Sequence, residues 1–175
     1  MKSTFVFVFF CLLTAAACTS QPEKNTSGTG ANEKSFTALF SDTLQADTFK
    51  VALTGKDSKN SMLIFRVINA KGKEIYQAEI NGAELLKANQ KLKTEADRMQ
   101  YLRKEVNYFF EEEHFLEPAV MPDEQPDKNV PDTSFYNELK NTGLNGFNFR
   151  TGAESKVYIG WSGKDQKVKV YYKCC

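Results

Sequence analysis

Four prolines within one short segment divide this chain more sharply than any other feature of its sequence. They are Pro118, Pro122, Pro126 and Pro131, in the mainly acidic stretch PAVMPDEQPDKNVP. Proline has no backbone donor and a fixed φ, so neither a helix interior nor a central strand is compatible with this segment. Residues 118–131 are therefore predicted to form a loop. A loop of this length in a compact domain is either mobile or functional.

The part of the chain before this loop begins with strand patterns. Apolar residues alternate with polar or small ones around 49–53, the stretch 61–69 is apolar on both faces, and 73–80 alternates again. These patterns predict three strands, the second more central than the others. Gly72 lies where a hairpin between the second and third strands requires a positive φ. The residues predicted to face inward are Phe49, Val51, Leu53, Tyr76, Ala78 and Ile80.

Two helices are predicted next. An acidic residue follows both Asn81 and Thr94 at the third position, which is the capping-box spacing and predicts helices beginning at about 82 and 95. In the second helix one apolar stripe is formed by Met99, Leu102, Val106, Phe109 and Phe110. Glu113 would fall at the centre of this stripe if the helix continued, and a buried unpaired charge is costly. The helix is therefore predicted to bend away or end near Glu112.

The part after the loop adds a helix and three strands. Asp132 is predicted to cap a short helix through Lys140 that ends at Gly143. The inward positions of the strands are Phe147 and Phe149, then Val157, Ile159 and Trp161, then Val168, Val170 and Tyr172. Strands and helices do not alternate as βαβ units, which predicts an antiparallel sheet. The predicted fold is α+β, one sheet of about six to seven strands packed on one face by one long and one or two short helices.

The N-terminus has the three parts of an export signal: a basic start at Lys2, an uncharged apolar run from Thr4, and small residues up to Ala17. The run is shorter than the roughly 20 residues of a membrane-spanning helix, so residues 1–17 are predicted to be a cleaved signal peptide. The small residues before Cys18 resemble the lipobox of bacterial lipoproteins, with Ala15 where leucine is commonest. The resemblance implies that Cys18 is acylated. The alternative is ordinary secretory cleavage, with Cys18 an incidental thiol.

Composition limits the partners that the rest of the chain is expected to have. Residues 18–34 have almost no large apolar side chain and are predicted to be a flexible tether, followed by a single α+β domain over 35–175. Without Lys2 the basic residues fall from 23 to 22, against 22 acidic ones, so the net charge is near zero. A chain without a basic surplus is a poor candidate for binding nucleic acid. No cofactor is predicted.

Carboxylates between 111 and 127 are the densest set of groups with chemical potential. Glu111 and His114 have the i,i+3 spacing of carboxylate metal sites, but such sites need a second pair, and the chain has no other histidine. These two residues are therefore only weak metal candidates, and a solvated helix end is the favoured interpretation. The sequence also has none of the motifs of Ser/His/Asp or Cys/His catalysis, which leaves catalytic residues unassigned.

Two further features need a structure to interpret. Cys174 and Cys175 are adjacent, and three outcomes compete: a pair that closes on itself at the end of the last strand, intermolecular pairing, or thiols that bind metal or exchange. Tyr101, Tyr108 and Phe115 recur every seven residues. They are predicted to be core residues, and the alternative is an aromatic strip for a partner.

The overall plan resembles the short lipoproteins of Bacteroidetes whose function is uncharacterised: a lipobox, a polar tether and one α+β domain without a catalytic motif. This resemblance implies a lipid-anchored envelope protein on the outer or inner membrane, facing the periplasm or the cell surface. It also implies that Asp42-Thr43-Leu44 is an O-glycosylation site at Thr43. The first hypothesis is a non-enzymatic binding or scaffolding module that contacts an envelope protein or a small ligand. The alternative is an envelope hydrolase that uses the acidic cluster 111–127, with or without a metal.

Overall fold

A computed structural model describes residues 29–30 and 32–174 of the 175-residue chain and confirms the α+β class. The strands are β1 (Thr29–Gly30), β2 (Glu33–Leu39), β3 (Ala46–Thr54), β4 (Met62–Ile68), β5 (Glu74–Asn81), β6 (Phe115–Leu116), β7 (Gly146–Arg150), β8 (Lys156–Ser162) and β9 (Lys167–Cys174). The helices are α1 (Gly82–Leu86), α2 (Glu95–Tyr108) and α3 (Thr133–Thr142), and Glu112–His114 forms a 3-10 turn.

The strands divide into two antiparallel sheets, so the prediction of a single sheet of six to seven strands is wrong. The front sheet has the order β1-β2-β3-β4-β5 and the back sheet the order β6-β7-β8-β9. The inner face of each sheet is apolar, and a single helix of 14 residues cannot cover the whole face of the front sheet. The two sheets therefore bury much of their apolar area against each other, with α2 completing the layer.

Phenylalanine rings fill this main core. Phe65 of the front sheet lies 5.1 Å from Phe149 of the back sheet and 5.1 Å from Phe109, which follows α2, measured between ring centroids. The predicted inward faces of β3 and β5 are confirmed. The apolar stripe of α2 is confirmed too, because Leu102 and Val106 are fully buried and both phenylalanines after them are buried. We call this cluster the phenylalanine core.

The helix boundaries follow the predicted capping residues. The side chains of Asn81, Thr94 and Asp132 each accept a hydrogen bond from a backbone N–H of the helix they precede, and the Thr94 cap is a complete capping box with Asp97. Gly143 ends α3 with φ of +63°. Helix α2 ends at Tyr108, four residues earlier than predicted, because Phe109 and Phe110 turn into the phenylalanine core.

A second, smaller cluster lies on the other face of the back sheet, beneath α3. It contains the buried residues Ala119, Val120, Phe135, Tyr136, Leu139 and Tyr171. Helix α3 comes close to the sheet at Gly160, where a Cβ would lie 2.8 Å from the Leu139 side chain. The back sheet is thus covered on both faces, which explains why its strands are more apolar than a half-solvated sheet requires.

The predicted tether boundary at residue 34 is too late in the chain. Thr29 and Gly30 pair with Lys34 and Glu33, and Glu33 begins the longer strand β2. The Asn32 carbonyl accepts a hydrogen bond from the Leu53 N–H at 2.7 Å. Backbone pairing at a sheet edge needs no apolar side chains, which is why composition did not reveal it. The signal peptide, Cys18 and most of the tether lie outside the described residues.

Two aromatic side chains of the back sheet differ from their predicted positions. A bulge pairs Tyr158 with Tyr172 but Ile159 with Val170, so Tyr171 is an extra residue, and Tyr172 packs with the second cluster instead of the phenylalanine core. Trp161, predicted to be a core residue, is half-buried and lines a polar cleft of about 410 Å³ with Asp47 and Lys73.

Candidate functional site

The acidic cluster lies beside an open cleft at the C-terminal end of α2. This acidic cleft has a volume of about 510 Å³, and its walls come from α2, the 3-10 turn, β7 and β8. Its polar lining consists of Glu105, Tyr108, Glu111, Glu112, Glu113, His114, Arg150 and Lys156. Tyr101 and Phe115 pack against the phenylalanine core as predicted, whereas Tyr108 is 62% exposed and lies at the cleft.

The 3-10 turn at the cleft is fixed by hydrogen bonds that use His114. The His114 Nδ1 atom lies 2.8 Å from the Phe109 carbonyl oxygen, which can only accept, so the proton resides on Nδ1. Buried Asn148 on β7 donates to the carbonyls of Glu113 and His114. The Nε2 atom of His114 lies 3.8 Å from a Glu113 carboxylate whose side chain is 82% exposed. The histidine therefore has a structural role in the turn.

Two of the cleft carboxylates are paired with cations. Glu105 accepts from Arg150 at 3.1 Å, and Arg150 also donates to the Ala153 carbonyl. Glu111 lies 3.6 Å from Lys34 of β2, whose ammonium also donates to the Asn107 carbonyl near the end of α2. Lys34 therefore places a positive charge at a helix C-terminus that has no basic residue in its own last turn.

The structure brings together only part of the predicted acidic cluster. Glu111, Glu113 and His114 line the acidic cleft, whereas Asp123 lies on the Pro-rich loop, and Glu124 and Asp127 line a different pocket. Over residues 29–30 and 32–174, no group of three or more histidine, cysteine, aspartate or glutamate side chains is placed to hold a metal ion. Within these residues, Glu111 and His114 therefore have no third metal-binding side chain beside them.

The Pro-rich loop is tied to the back sheet and α3 along its length. The Ala119 N–H donates to the Leu144 carbonyl, and the Ala119 carbonyl accepts from the Tyr171 hydroxyl at 2.9 Å. Lys140 of α3 donates to the Glu124 carbonyl at 2.6 Å. Further along, the Asn129 carbonyl accepts from the Lys173 N–H. The loop is therefore held in place against the back sheet and α3, and the mobile alternative is not favoured.

Beneath the loop lies a second pocket, which we call the tyrosine pocket. It has a volume of about 270 Å³. Its lining residues are Leu116, Ala119, Glu124, Gln125, Asp127, Tyr136, Tyr158, Tyr171 and Tyr172. Gly146 leaves space for two of these lining residues, because a Cβ at this position would lie 2.8 Å from the Tyr171 hydroxyl and 2.9 Å from the Ala119 Cβ.

The environment of these tyrosines opposes additional negative charge. Burial raises the pKa of Tyr136, and the carboxylates of Glu124 and Asp127 raise it further. Burial likewise raises the pKa of Tyr158 and of Tyr171 above the usual range for tyrosine, and Glu124 contributes to the shift of Tyr171. The phenols of Tyr136, Tyr158 and Tyr171 are therefore held in their neutral form.

Sequence reasoning missed the tyrosine pocket. The one signal that points to it is the position of the tyrosines, since four of the seven in the chain follow the Pro-rich segment. Two of those four, Tyr171 and Tyr172, are adjacent, and strict strand alternation would place them on opposite faces. The bulge in β9 brings both to the second cluster.

The remaining predicted sites are placed as follows. Thr43 is exposed on the loop between β2 and β3, where Asp42 accepts hydrogen bonds from the N–H groups of Leu44 and Gln45, and Leu44 is 88% exposed. Cys174 is disulfide-bonded at the end of β9. The other three cysteines, including Cys18 and Cys175, lie outside the described residues. In the described part of the chain, no helix is both long and apolar enough to cross a membrane.

Comparison with known proteins adds no relative: no family model, no curated protein and no solved structure matches this chain.

Proposed function

We propose that this protein is a lipid-anchored, non-enzymatic binding module of the bacterial cell envelope. The observation that supports binding best is the tyrosine pocket, a concave site whose loop wall is already held in place by Tyr171, Lys140 and Lys173. A preformed, mostly aromatic pocket with a few polar groups is typical of ligand-binding sites. The polar groups that line it are phenols, carboxylates and an amide, none of which is a strong nucleophile.

Anchoring through Cys18 is the part of this proposal that rests on sequence. Acyl chains on this residue would hold the domain at the outer or inner membrane, facing the periplasm or the cell surface, as in the Bacteroidetes lipoproteins that the chain resembles. The exposed Thr43 is accessible to a glycosyltransferase on the same proposal. The pocket and this loop belong to different sheets, so a glycan at Thr43 is attached to the front sheet and not to a lining residue of the pocket.

A hydrolase remains the second candidate, because Glu111, Glu113 and His114 share the larger acidic cleft. General acid–base catalysis needs a proton donor or acceptor that can reach the substrate. His114 donates its Nδ1–H to the Phe109 carbonyl and keeps Nε2 as an acceptor, whereas Glu111 is paired with Lys34. The carboxylate nearest to Nε2, that of Glu113 at 3.8 Å, is 82% exposed and is not held against the ring by a hydrogen bond. Hydrolysis is therefore ranked behind binding.

The anchor is tested by fractionating cells that express the full chain or its Cys18→Ala variant. We expect the parent protein in the membrane fraction and the variant in the soluble fraction, since acyl chains on Cys18 are the proposed anchor. A variant that stays in the membrane fraction after its signal has been cleaved contradicts the lipoprotein proposal.

Binding and hydrolysis are separated by incubating the purified full chain with an envelope extract that retains its small molecules. A binding module retains components of the extract unchanged and unfolds at a higher temperature in their presence. A hydrolase converts components of the extract, and the conversion is lost in Glu111→Gln and Glu113→Gln. Conversion that depends on these two carboxylates, measured by mass spectrometry, would replace the binding proposal with the hydrolase.

A further inference from the structure

We propose that the tyrosine pocket binds a small organic cation that carries a methylated ammonium group. This inference rests on the proposed function, which it deepens by naming the class of ligand. It is carried by the arrangement of four aromatic rings and two carboxylates around one small cavity. Neither the phenylalanine core nor the acidic cleft has this combination.

The rings pack against one another at the side of the cavity. Tyr158 makes edge-to-face contacts with Tyr172, at 5.2 Å between ring centroids and 87° between planes, and with Tyr171, at 6.1 Å and 69°. Tyr136 and Tyr171 are 6.4 Å apart at 54°. All four residues also line the cavity. The face of an aromatic ring is the negative part of its quadrupole and attracts a quaternary ammonium ion.

Charge at the rim of the pocket is negative. Glu124 and Asp127 are exposed and accept hydrogen bonds from Tyr136 and Tyr172 respectively, at 3.5 and 3.1 Å. Each also accepts from a backbone N–H of the loop, Glu124 from Met121 at 3.1 Å and Asp127 from Asn129 at 2.8 Å. Among the described residues neither carboxylate takes part in an ion pair, and the lining includes no lysine or arginine. The rim therefore presents two carboxylates that a cationic ligand can approach.

The raised pKa of Tyr136 reports on this charge in part. Burial is the main cause of the shift and disfavours a charge of either sign, whereas the smaller contributions of the Glu124 and Asp127 carboxylates oppose an anion and favour a cation. The ligand of the pocket is accordingly positive where it contacts the rings.

Methylation is expected from the hydrogen-bonding state of the pocket. Three of the four hydroxyls are already engaged, with Ala119, Glu124 and Asp127 as their acceptors. A primary ammonium is strongly hydrated and needs acceptors for three donors, which ring faces do not supply. A methylated ammonium has little hydration to lose and gains apolar contact with the rings. A cavity of about 270 Å³ has room for such a group but not for a large ligand.

The test is calorimetric titration of the purified full chain with choline and with its uncharged carbon analogue, 3,3-dimethylbutan-1-ol. The two compounds have the same shape, so the difference between them measures the charge alone. We expect saturable binding of choline and at least about tenfold weaker binding of the neutral analogue. Equal affinities, or no binding of choline, overturn the proposal.

Two further ligands identify the source of the ammonium group. Free glycine betaine carries a carboxylate that Glu124 and Asp127 would repel, so it is expected to bind more weakly than choline. Vesicles of phosphatidylcholine, compared with vesicles of phosphatidylglycerol, test a lipid headgroup. Choline binding without preference for the phosphatidylcholine vesicles assigns the pocket to a free small molecule. Binding of both choline and these vesicles assigns it to a headgroup, and in either case the cation class stands.

Variants of the half-buried wall locate the binding to this pocket. Tyr172→Leu removes a ring and should weaken choline binding at least about tenfold, whereas Tyr172→Phe keeps the ring and should stay within about threefold. Glu124→Gln, at an exposed position, should weaken binding about two- to fivefold and reduce its dependence on salt. Tyr108→Leu, at the acidic cleft, is the matched control and should leave binding unchanged. If Tyr172→Leu fails to fold, Glu124→Gln provides the test.

These outcomes are independent of the anchoring experiment. A protein that fractionates with the membrane through Cys18 but ignores choline refutes the cation site and leaves the envelope binding module standing. A protein that binds choline through Tyr172 but does not depend on Cys18 for its location supports the cation site and refutes the lipid anchor.

Discussion

The phenylalanine core and the tyrosine pocket use aromatic rings in opposite ways. In the phenylalanine core, the buried rings from both sheets and from the end of α2 are all phenylalanines, and the half-buried Tyr76 and Tyr101 pack at its edge. In the tyrosine pocket the rings have hydroxyls that bind the Pro-rich loop, and one side is open to solvent. The first arrangement maximises apolar burial. The second gives up part of it to hold a loop and to leave a cavity.

The difference implies that the two regions respond differently to mutation. Truncation in the phenylalanine core should remove global stability, because its rings form a single contact network between the sheets. Loss of a hydroxyl in the tyrosine pocket should loosen the loop and cost much less. The following experiments can break or sharpen this distinction, from the largest expected effect to the smallest.

Phe109→Ala is expected to have the largest effect, about 3 to 5 kcal/mol of unfolding free energy, since it removes a buried ring and leaves a cavity. Phe109 is 6% exposed and contacts rings from both sheets. Glu112→Ala, exposed on the 3-10 turn, is the control and should change stability by about 0.5 kcal/mol or less. Urea melts measure both. Similar midpoints for the two variants would mean that Phe109 is not part of the core.

Tyr171→Phe should cost about 1 to 2 kcal/mol, because the buried Ala119 carbonyl loses its hydroxyl donor while the ring remains. The loss should appear first in the loop, as faster proteolysis between 118 and 131 under native conditions. Tyr76→Phe is the matched control, as a half-buried tyrosine that packs against the phenylalanine core. If both variants leave the loop equally resistant to proteolysis, the Tyr171 hydroxyl does not hold it.

Deletions before the front sheet test whether its N-terminal edge supports the phenylalanine core. Removal of residues 19–28 should leave the thermal midpoint unchanged. Removal of 19–32 should cost about 1 kcal/mol, since it also deletes β1 and the hydrogen bonds of Asn32 to Leu53 and Arg103. Thermal unfolding of the two deletions, measured side by side, gives the difference. Equal midpoints for the two deletions would place the true tether boundary near residue 34 after all.

The smallest expected effect concerns Asp47, the one acidic side chain in the apolar row of β3. It is buried, its Oδ2 accepts from the Ser41 N–H at 2.6 Å, and its Oδ1 has no hydrogen-bond partner. Burial raises the pKa of Asp47 in the folded state. Folding therefore disfavours the charged form of this carboxyl. As the pH falls through its pKa in the folded state, Asp47 takes up a proton there first, and the folded state gains stability. The gain ends near pH 3.8, where the carboxyl becomes protonated in the unfolded chain as well.

Asp47→Asn should accordingly raise the thermal midpoint by about 1 to 3 °C at neutral pH, and the gain should shrink as the pH approaches 4. Other carboxyls, such as those of Glu95 and Asp132, have lowered pKa values and destabilise the protein in acid, so the measured quantity is the difference between variant and parent. A difference that does not change with pH would show that Asp47 is not buried in its charged form.

Local elements were predictable because their signals are local. The capping residues Asn81, Thr94 and Asp132 act within their own helices, and Gly72 and Gly143 have the positive φ that their turns require. The apolar stripe of α2 was legible for the same reason, as was its end before Glu113, since a carboxylate cannot continue a buried row. Charge alone also predicted that the glutamates after α2 would be exposed, and Glu111, Glu112, Glu113 and Glu117 are.

The sequence by itself determined the class of the fold, the position of the Pro-rich loop and the faces of most strands, because periodicity and proline chemistry depend on neighbours in the chain. The tertiary structure decided the division into two sheets, the edge pairing of Thr29 and Gly30, and the tyrosine pocket. Each of these depends on backbone hydrogen bonds or on a β-bulge, which leave no periodic signal in the sequence. The strand register, and not the sequence pattern, decided whether a tyrosine of the back sheet lies in the phenylalanine core or lines the tyrosine pocket.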